Sequence, residues 1–191
     1  VPSGPFMKGV DVSGAKDIDQ LIGMMKEYAA SVPEGRWVFA TKFQDKNIAE
    51  KRFPTREEMD RVSASHPVML YHNDTHPFAF NSAGIEIMKL DPAIDGIETD
   101  SCGKPTGFVT DPAFMEVADN LIDLFSDEEL LEGYGNIDEY AVSNGITTVY
   151  TKDYYKILRL FRDHRDEFKT EIKPMLRTRN CSDSDNLGKL M

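Results

Sequence analysis

Asn144-Gly145-Ile146-Thr147-Thr148-Val149-Tyr150 sets the architecture of its surroundings. Asn-Gly stops a preceding helix, and the β-branched and aromatic residues after it favour a strand over 146–150. From Tyr154 to Phe168 the apolar residues Ile157, Leu158, Leu160 and Phe161 recur at helical spacing and are expected to face inward. Glu171-Ile172-Lys173-Pro174-Met175-Leu176 reads as the next strand. This alternation, joined to the preceding helix, predicts a parallel α/β sheet with covering helices.

Reading back from there, Ser126-Asp127-Glu128-Glu129 is a capping box that opens a long helix to about Ser143. Asp111-Pro112 fits an N-cap followed by proline at the first helical position, with that helix running toward Phe125. Residues 91–107 read as a loop or hairpin. Asn81-Ser82 starts a helix carrying Ile85, Ile87, Met88 and Leu90, whereas 72–80 reads as irregular. Val68–Tyr71 is a buried strand, preceded by a short helix that Thr55-Arg56-Glu57-Glu58 caps. Arg36–Ala40 is another strand. Asp17 caps a helix whose apolar positions Ile18, Leu21, Ile22, Met25, Tyr28 and Ala29 follow the three-to-four spacing. The Pro- and Gly-rich start reads as a linker or cut edge, and the absence of Met at position 1 suggests a natural N-terminus elsewhere. The polar end, with Ser182-Asp183-Ser184-Asp185, reads as loose.

The chain has 191 residues, of which 40% are apolar, enough for a sizeable core. No apolar run approaches the roughly 18 residues that a membrane-crossing helix needs. The net charge of −11 opposes binding to nucleic-acid phosphates and to anionic membranes. Cys102 and Cys181 are far apart and lack metal-type spacing, which fits a reduced, cytoplasmic protein.

Five phrases, in order between about residues 10 and 178, resemble the amidohydrolase superfamily of the family 3 type. They are Pro33-Glu34-Gly35-Arg36-Trp37-Val38; Pro54–Asp60 followed by His66-Pro67-Val68; His76 followed by Asn81-Ser82-Ala83; Asp100 with Gly103-Lys104-Pro105-Thr106-Gly107; and Asn144–Val149. The resemblance implies an α/β fold, a partial (β/α)8 TIM-barrel segment with an α/β insertion after the first barrel strand. Residues 1–9 would be the linker and 10–143 the insertion lobe. Residues 144–180 would hold barrel strands two and three with their connecting helix, and 181–191 the tail. The implied chemistry is hydrolysis of an amide-type C–N bond in a small molecule by metal-activated water.

The family's metal site takes a His-x-His pair, a bridging Lys or Glu, two later His and an Asp. The four histidines here, His66, His72, His76 and His164, form no His-x-His pair, and Lys189 lacks the strand context of a bridging ligand. The expectation is therefore zinc or another divalent metal in the full-length protein, with no metal ligand and no catalytic residue in this chain. His72 and His76 stand four apart, but Asn73, Asp74, Thr75 and Pro77 favour a loop with partly exposed histidines. Cys102 lies beside Asp100, which works against a reactive thiolate, and Asp127, Glu128, Glu129 and Glu132 suit a helix N-terminus.

By resemblance, His76, Asn81, Trp37 and Phe43 are candidates for the substrate pocket, with hydrogen-bonded scaffolding as the alternative for His76. The family often has a second Trp and an Asp after the strand; this chain has Ala40-Thr41-Lys42-Phe43-Gln44-Asp45. Tyr150-Thr151 likewise replaces a polar pair, often His-Asp. A rival reading is a self-standing, non-catalytic interaction module that presents Phe78 and Phe80 as exposed aromatics. Open strand edges of a partial barrel would favour self-association.

Overall fold

Local capping chemistry fixes most of the helices. A computed structural model describes residues 9–73, 76–153 and 155–176. Asp17 accepts from the Gln20 backbone N–H at 2.7 Å and opens α1 (Ile18–Ala29), which buries Ile18, Leu21, Ile22, Met25 and Ala29. The reciprocal capping boxes form at both expected places, opening α2 (Arg56–Asp60) from Thr55 and α5 (Asp127–Ser143) from Ser126. Asn81 caps α3 (Ser82–Met88).

The described residues divide into two compact units, over 9–124 and 125–176. The first is built on a six-stranded sheet. Its chain order is β1 (Val10–Asp11), β2 (Val38–Phe43), β3 (Val68–His72), β4 (Phe78–Phe80), β5 (Ile97–Thr99) and β6 (Pro105–Val109). In space the order is β1-β2-β3-β4-β6-β5. β1, β2 and β3 run parallel, while β4, β6 and β5 add antiparallel. This sheet is thus a mixed one. Phe78–Phe80, expected to be irregular, forms a strand because both its neighbours supply backbone partners across the sheet.

Strand periodicity assigns the side chains to two faces. Ala40 pairs with Leu70 and Leu70 with Ala79, and this row joins the core beneath α1 with Val38, Val68, Met25 and Met59. Phe39 pairs with Met69 and Met69 with Phe80 on the opposite face. That face also receives Phe114 from α4 (Phe114–Asp123), whose ring lies 5.4 Å from Phe78. Phe78 and Phe80 are both fully buried, so they present no partner surface. Nor does Asp111 cap α4, which starts after Ala113 without a side-chain cap, because the Asp111 carboxylate is engaged by His76.

In the second unit the expected strand–helix–strand forms. β7 (Thr148–Asp153) and β8 (Glu171–Leu176) pair in parallel from Thr148–Glu171 to Asp153–Leu176. α6 (Tyr155–Asp163) crosses between them and buries Ile157, Leu158, Leu160 and Phe161. Gly145, at φ 75°, ends the turn after α5. Asp138 of α5 accepts from the backbone N–H groups of Lys169 (2.7 Å) and Thr170 (2.9 Å) and from the Thr170 hydroxyl (2.6 Å), fixing the entry to β8. Burial works to raise this carboxyl, yet those bonds together hold it below the ordinary carboxylate value. No closed barrel forms among the described residues. The expected tail lies outside them, as does all of the expected linker except Gly9.

Candidate functional site

The carboxyl ends of the parallel neighbours β2 and β3 lie side by side, and β3 is the last parallel strand before the antiparallel β4. Regular alternation along β2 would put Val38, Ala40 and Lys42 on one face. Lys42 instead adopts φ 61°, the β2–β3 register shifts after Ala40, and Phe43 enters the core at 1% exposure. The Lys42 ammonium turns outward to Asp11 at 2.7 Å. The Asn73 N–H then donates to the Phe43 carbonyl at 2.8 Å, and the His72 N–H to that of Pro77 at 3.2 Å.

This arrangement places His72 and Asp45 together. The buried His72 ring lies 6.0 Å from Phe43 and 5.7 Å from Phe53, with Nε2 3.4 Å from Asp45 Oδ1. His72 is therefore a buried strand-end residue, not a partly exposed loop histidine. Beside it opens a cleft of about 750 Å³. Phe53 and Phe108, with centroids 4.8 Å apart, form an aromatic floor, and Asp45, Glu98 and Asp100 supply carboxylates.

The cleft's two guanidinium groups are paired. Arg52 binds both oxygens of Glu58 at 2.7 and 2.9 Å, and Arg56 reaches Glu57 at 2.9 Å. The Arg52 bond is the main reason that the Glu58 carboxyl is pushed down to about 2. Backbone N–H groups of Lys104 and Cys102 hold Asp100 below the usual carboxylate range. Cys102 is an exposed free thiol.

The four sequence-predicted residues are not brought together. Phe43 backs the cleft behind Phe53 and His72. His76 is exposed in the β3–β4 connection, its Nδ1 2.5 Å from Asp111 Oδ2 and its ring stacked on Phe114 at 5.3 Å. Trp37 stacks on Phe39 at 5.8 Å and meets Phe80 edge-on at 6.0 Å, away from the cleft lining. Asn81 is 1% exposed. Its Oδ1 accepts from the Val68 and Gly84 N–H groups at 2.9 Å each, and its Nδ2 donates to the His66 carbonyl at 2.9 Å.

Sequence reasoning missed the cleft residues Asp45, Phe53, Glu98 and Phe108. The fourth and second phrases flanked them, but nothing local joins segments so far apart. No group of three or more His, Cys, Asp or Glu suited to a metal ion occurs among the described residues. His72 faces Asp45 and His76 faces Asp111, so the donor set does not fit the divalent metal that the resemblance implies.

The amidohydrolase family profile matches residues 4–186. The chain belongs to that family. An N-substituted formamide deformylase of Arthrobacter pascens is 31% identical over 110 residues, covering 55% of this chain and 19% of the relative. An uncharacterised metal-dependent hydrolase from Pyrococcus furiosus superposes with a TM-score of 0.73 at 22% identity, covering 99% of this chain and 37% of that one. One from Pyrococcus horikoshii gives 0.72 at 20% identity, covering 91% and 34%. These structures share the fold. The chain spans about a fifth of the length of the deformylase and about a third of each hydrolase chain. No described helix is long and apolar enough to cross a membrane.

Proposed function

We propose that this chain is a segment of a metal-dependent amidohydrolase that cleaves an amide-type C–N bond in a small molecule with metal-activated water. The family match over residues 4–186 carries this reading. In it the described residues belong to the insertion lobe and to strands two and three of a (β/α)8 barrel. The metal, zinc or another divalent ion, is held by parts of the longer protein, and the isolated chain is inactive. A cytoplasmic setting accords with the unpaired, exposed Cys102.

Within this reading Phe43 acts indirectly, by seating Phe53 and His72 at the cleft. His76 fastens the β3–β4 connection to Asp111 and Phe114 at the start of α4, while Asn81 and Trp37 serve the scaffold. Hydrolysis of an N-substituted formamide adds water across the C–N bond, releasing formate and an amine. The test is expression of the full open reading frame, metal analysis, and assay of formate release from N-substituted formamides. Turnover that is lost with a chelator and restored by zinc supports the reading. A full-length protein without a His-x-His pair upstream, or without hydrolytic activity toward any amide, overturns it.

Tyr150 and Met175, on the two paired strands of the second unit, are 68% and 51% exposed, as the strands of an incomplete barrel would leave them; a self-standing interaction module is the rival reading. Size-exclusion chromatography with light scattering separates the readings. A cooperative, monodisperse monomer favours the module, and self-association favours the barrel segment.

A further inference from the structure

The cleft at the ends of β2 and β3 combines an aromatic floor with a rim that carries the carboxylates of Asp45, Glu98 and Asp100. Arg52 and Arg56 are matched by Glu58 and Glu57. Among the described residues, Asp45, Glu98 and Asp100 have no lysine or arginine ion-pair partner. Asp45 approaches His72, Glu98 accepts from the Thr106 hydroxyl at 2.6 Å, and Asp100, which feels the charges of Arg56 and Lys104 beyond ion-pair distance, uses one oxygen for two backbone N–H groups. Each carboxylate therefore retains acceptor capacity toward the cleft.

An anionic ligand would meet these charges with both guanidinium groups already engaged. A bare metal ion would need ligands converging on one point, and the described carboxylates do not converge. A cation with an apolar body satisfies both features. Its ammonium gains charge-assisted hydrogen bonds at the rim, and its ring gains contact with Phe53 and Phe108, as well as cation–π attraction. The volume of about 750 Å³ suits an organic molecule of ordinary size.

We propose that this cleft is a binding site for arylalkylamines, with the ring on Phe53 and Phe108 and the ammonium among Asp45, Glu98 and Asp100. The proposal concerns equilibrium binding by these residues and does not depend on hydrolysis. Its failure would leave the hydrolase reading standing, and absence of turnover would leave this one standing.

The experiment titrates the 191-residue chain with 2-phenylethylamine, 2-phenylethanol and phenylacetate, using calorimetry and amide NMR spectra. The amine is expected to bind about tenfold tighter than the alcohol, and the carboxylate most weakly of the three. Amide shifts should centre on His72, Glu98 and Phe108. The double variant Asp45→Asn, Glu98→Gln should weaken the amine about tenfold and leave the alcohol unchanged, with Trp37 fluorescence confirming the fold. Phe108→Ala should weaken both. Equal affinity for amine and alcohol, tighter binding of phenylacetate, shifts outside the cleft, or no binding at about 10 mM amine would each overturn the proposal.

Discussion

Replacing Asn81 by alanine isolates the residue that ties three segments of the first unit together. The amide accepts from Val68 and Gly84 and donates to His66, and its surroundings exclude water. Loss of the α3 cap costs about 1 kcal/mol. Leaving the buried Val68 N–H and His66 carbonyl without partners adds about 2 kcal/mol in total, at the low end for such groups. The expected destabilisation is therefore about 3 kcal/mol, a large share of a typical domain's stability. For a urea slope of about 2 kcal/mol per molar, the midpoint should fall by about 1.5 M. Trp37, the only tryptophan, sits against Phe39 and Phe80 and reports unfolding of this unit by fluorescence. Asn81→Asp keeps the acceptor for both N–H groups but turns a carboxylate oxygen toward the His66 carbonyl, so it too should lose stability. A change below about 0.5 kcal/mol in Asn81→Ala would refute the claim that these hydrogen bonds fasten the unit, since that is the range of indifferent surface substitutions.

Gly107 has φ 90°, and a Cβ added there would stand 2.5 Å from the Phe80 carbonyl oxygen, so Gly107→Ala should cost about 2 kcal/mol or more, measured by urea unfolding. Glu58 titrates far below an ordinary glutamate because of Arg52, so its stabilising share is complete above the unfolded-state value and lost as pH falls toward about 2. Arg52→Ala should lower stability by about 1 kcal/mol at neutral pH and narrow that difference below pH about 3, visible in thermal melts against pH. Asp138→Ala leaves three donors at the entry to β8 without their acceptor and should speed amide exchange across β7 and β8, with a loss of about 2–3 kcal/mol in the second unit.

The readable parts of the fold were those encoded by neighbours in sequence. Thr55 with Glu58 and Ser126 with Glu129 carry their caps within four residues, and the β7–α6–β8 crossover announces itself through two β-rich runs around one periodic helix. β4 escaped notice because three residues, two of them aromatic, give no period, and one of its two pairing partners, β6, lies in a distant segment. The start of α4 was misplaced because Asp111 looks like a cap locally but is taken by His76, 35 residues away. The cleft was invisible for the same reason, since Asp45, Phe53, His72, Glu98 and Phe108 share no local pattern. Asn81 did carry a signal: an Asn directly before Ser-Ala-Gly is a good helix cap, which argued for a structural duty.

The left-handed Lys42 makes the end of β2 sensitive to counting. Upstream of it, every second residue belongs to the α1-side core; at Phe43 the parity is reversed. Shortening this strand by one residue would restore even pleating yet carry Asp45 across the sheet and away from His72. A polar or charged replacement of comparable length at 42 is tolerable, and glycine would ease the backbone, but valine or isoleucine would resist the left-handed turn. The geometry of the cleft thus rests on one unfavourable dihedral as much as on the side chains that line it.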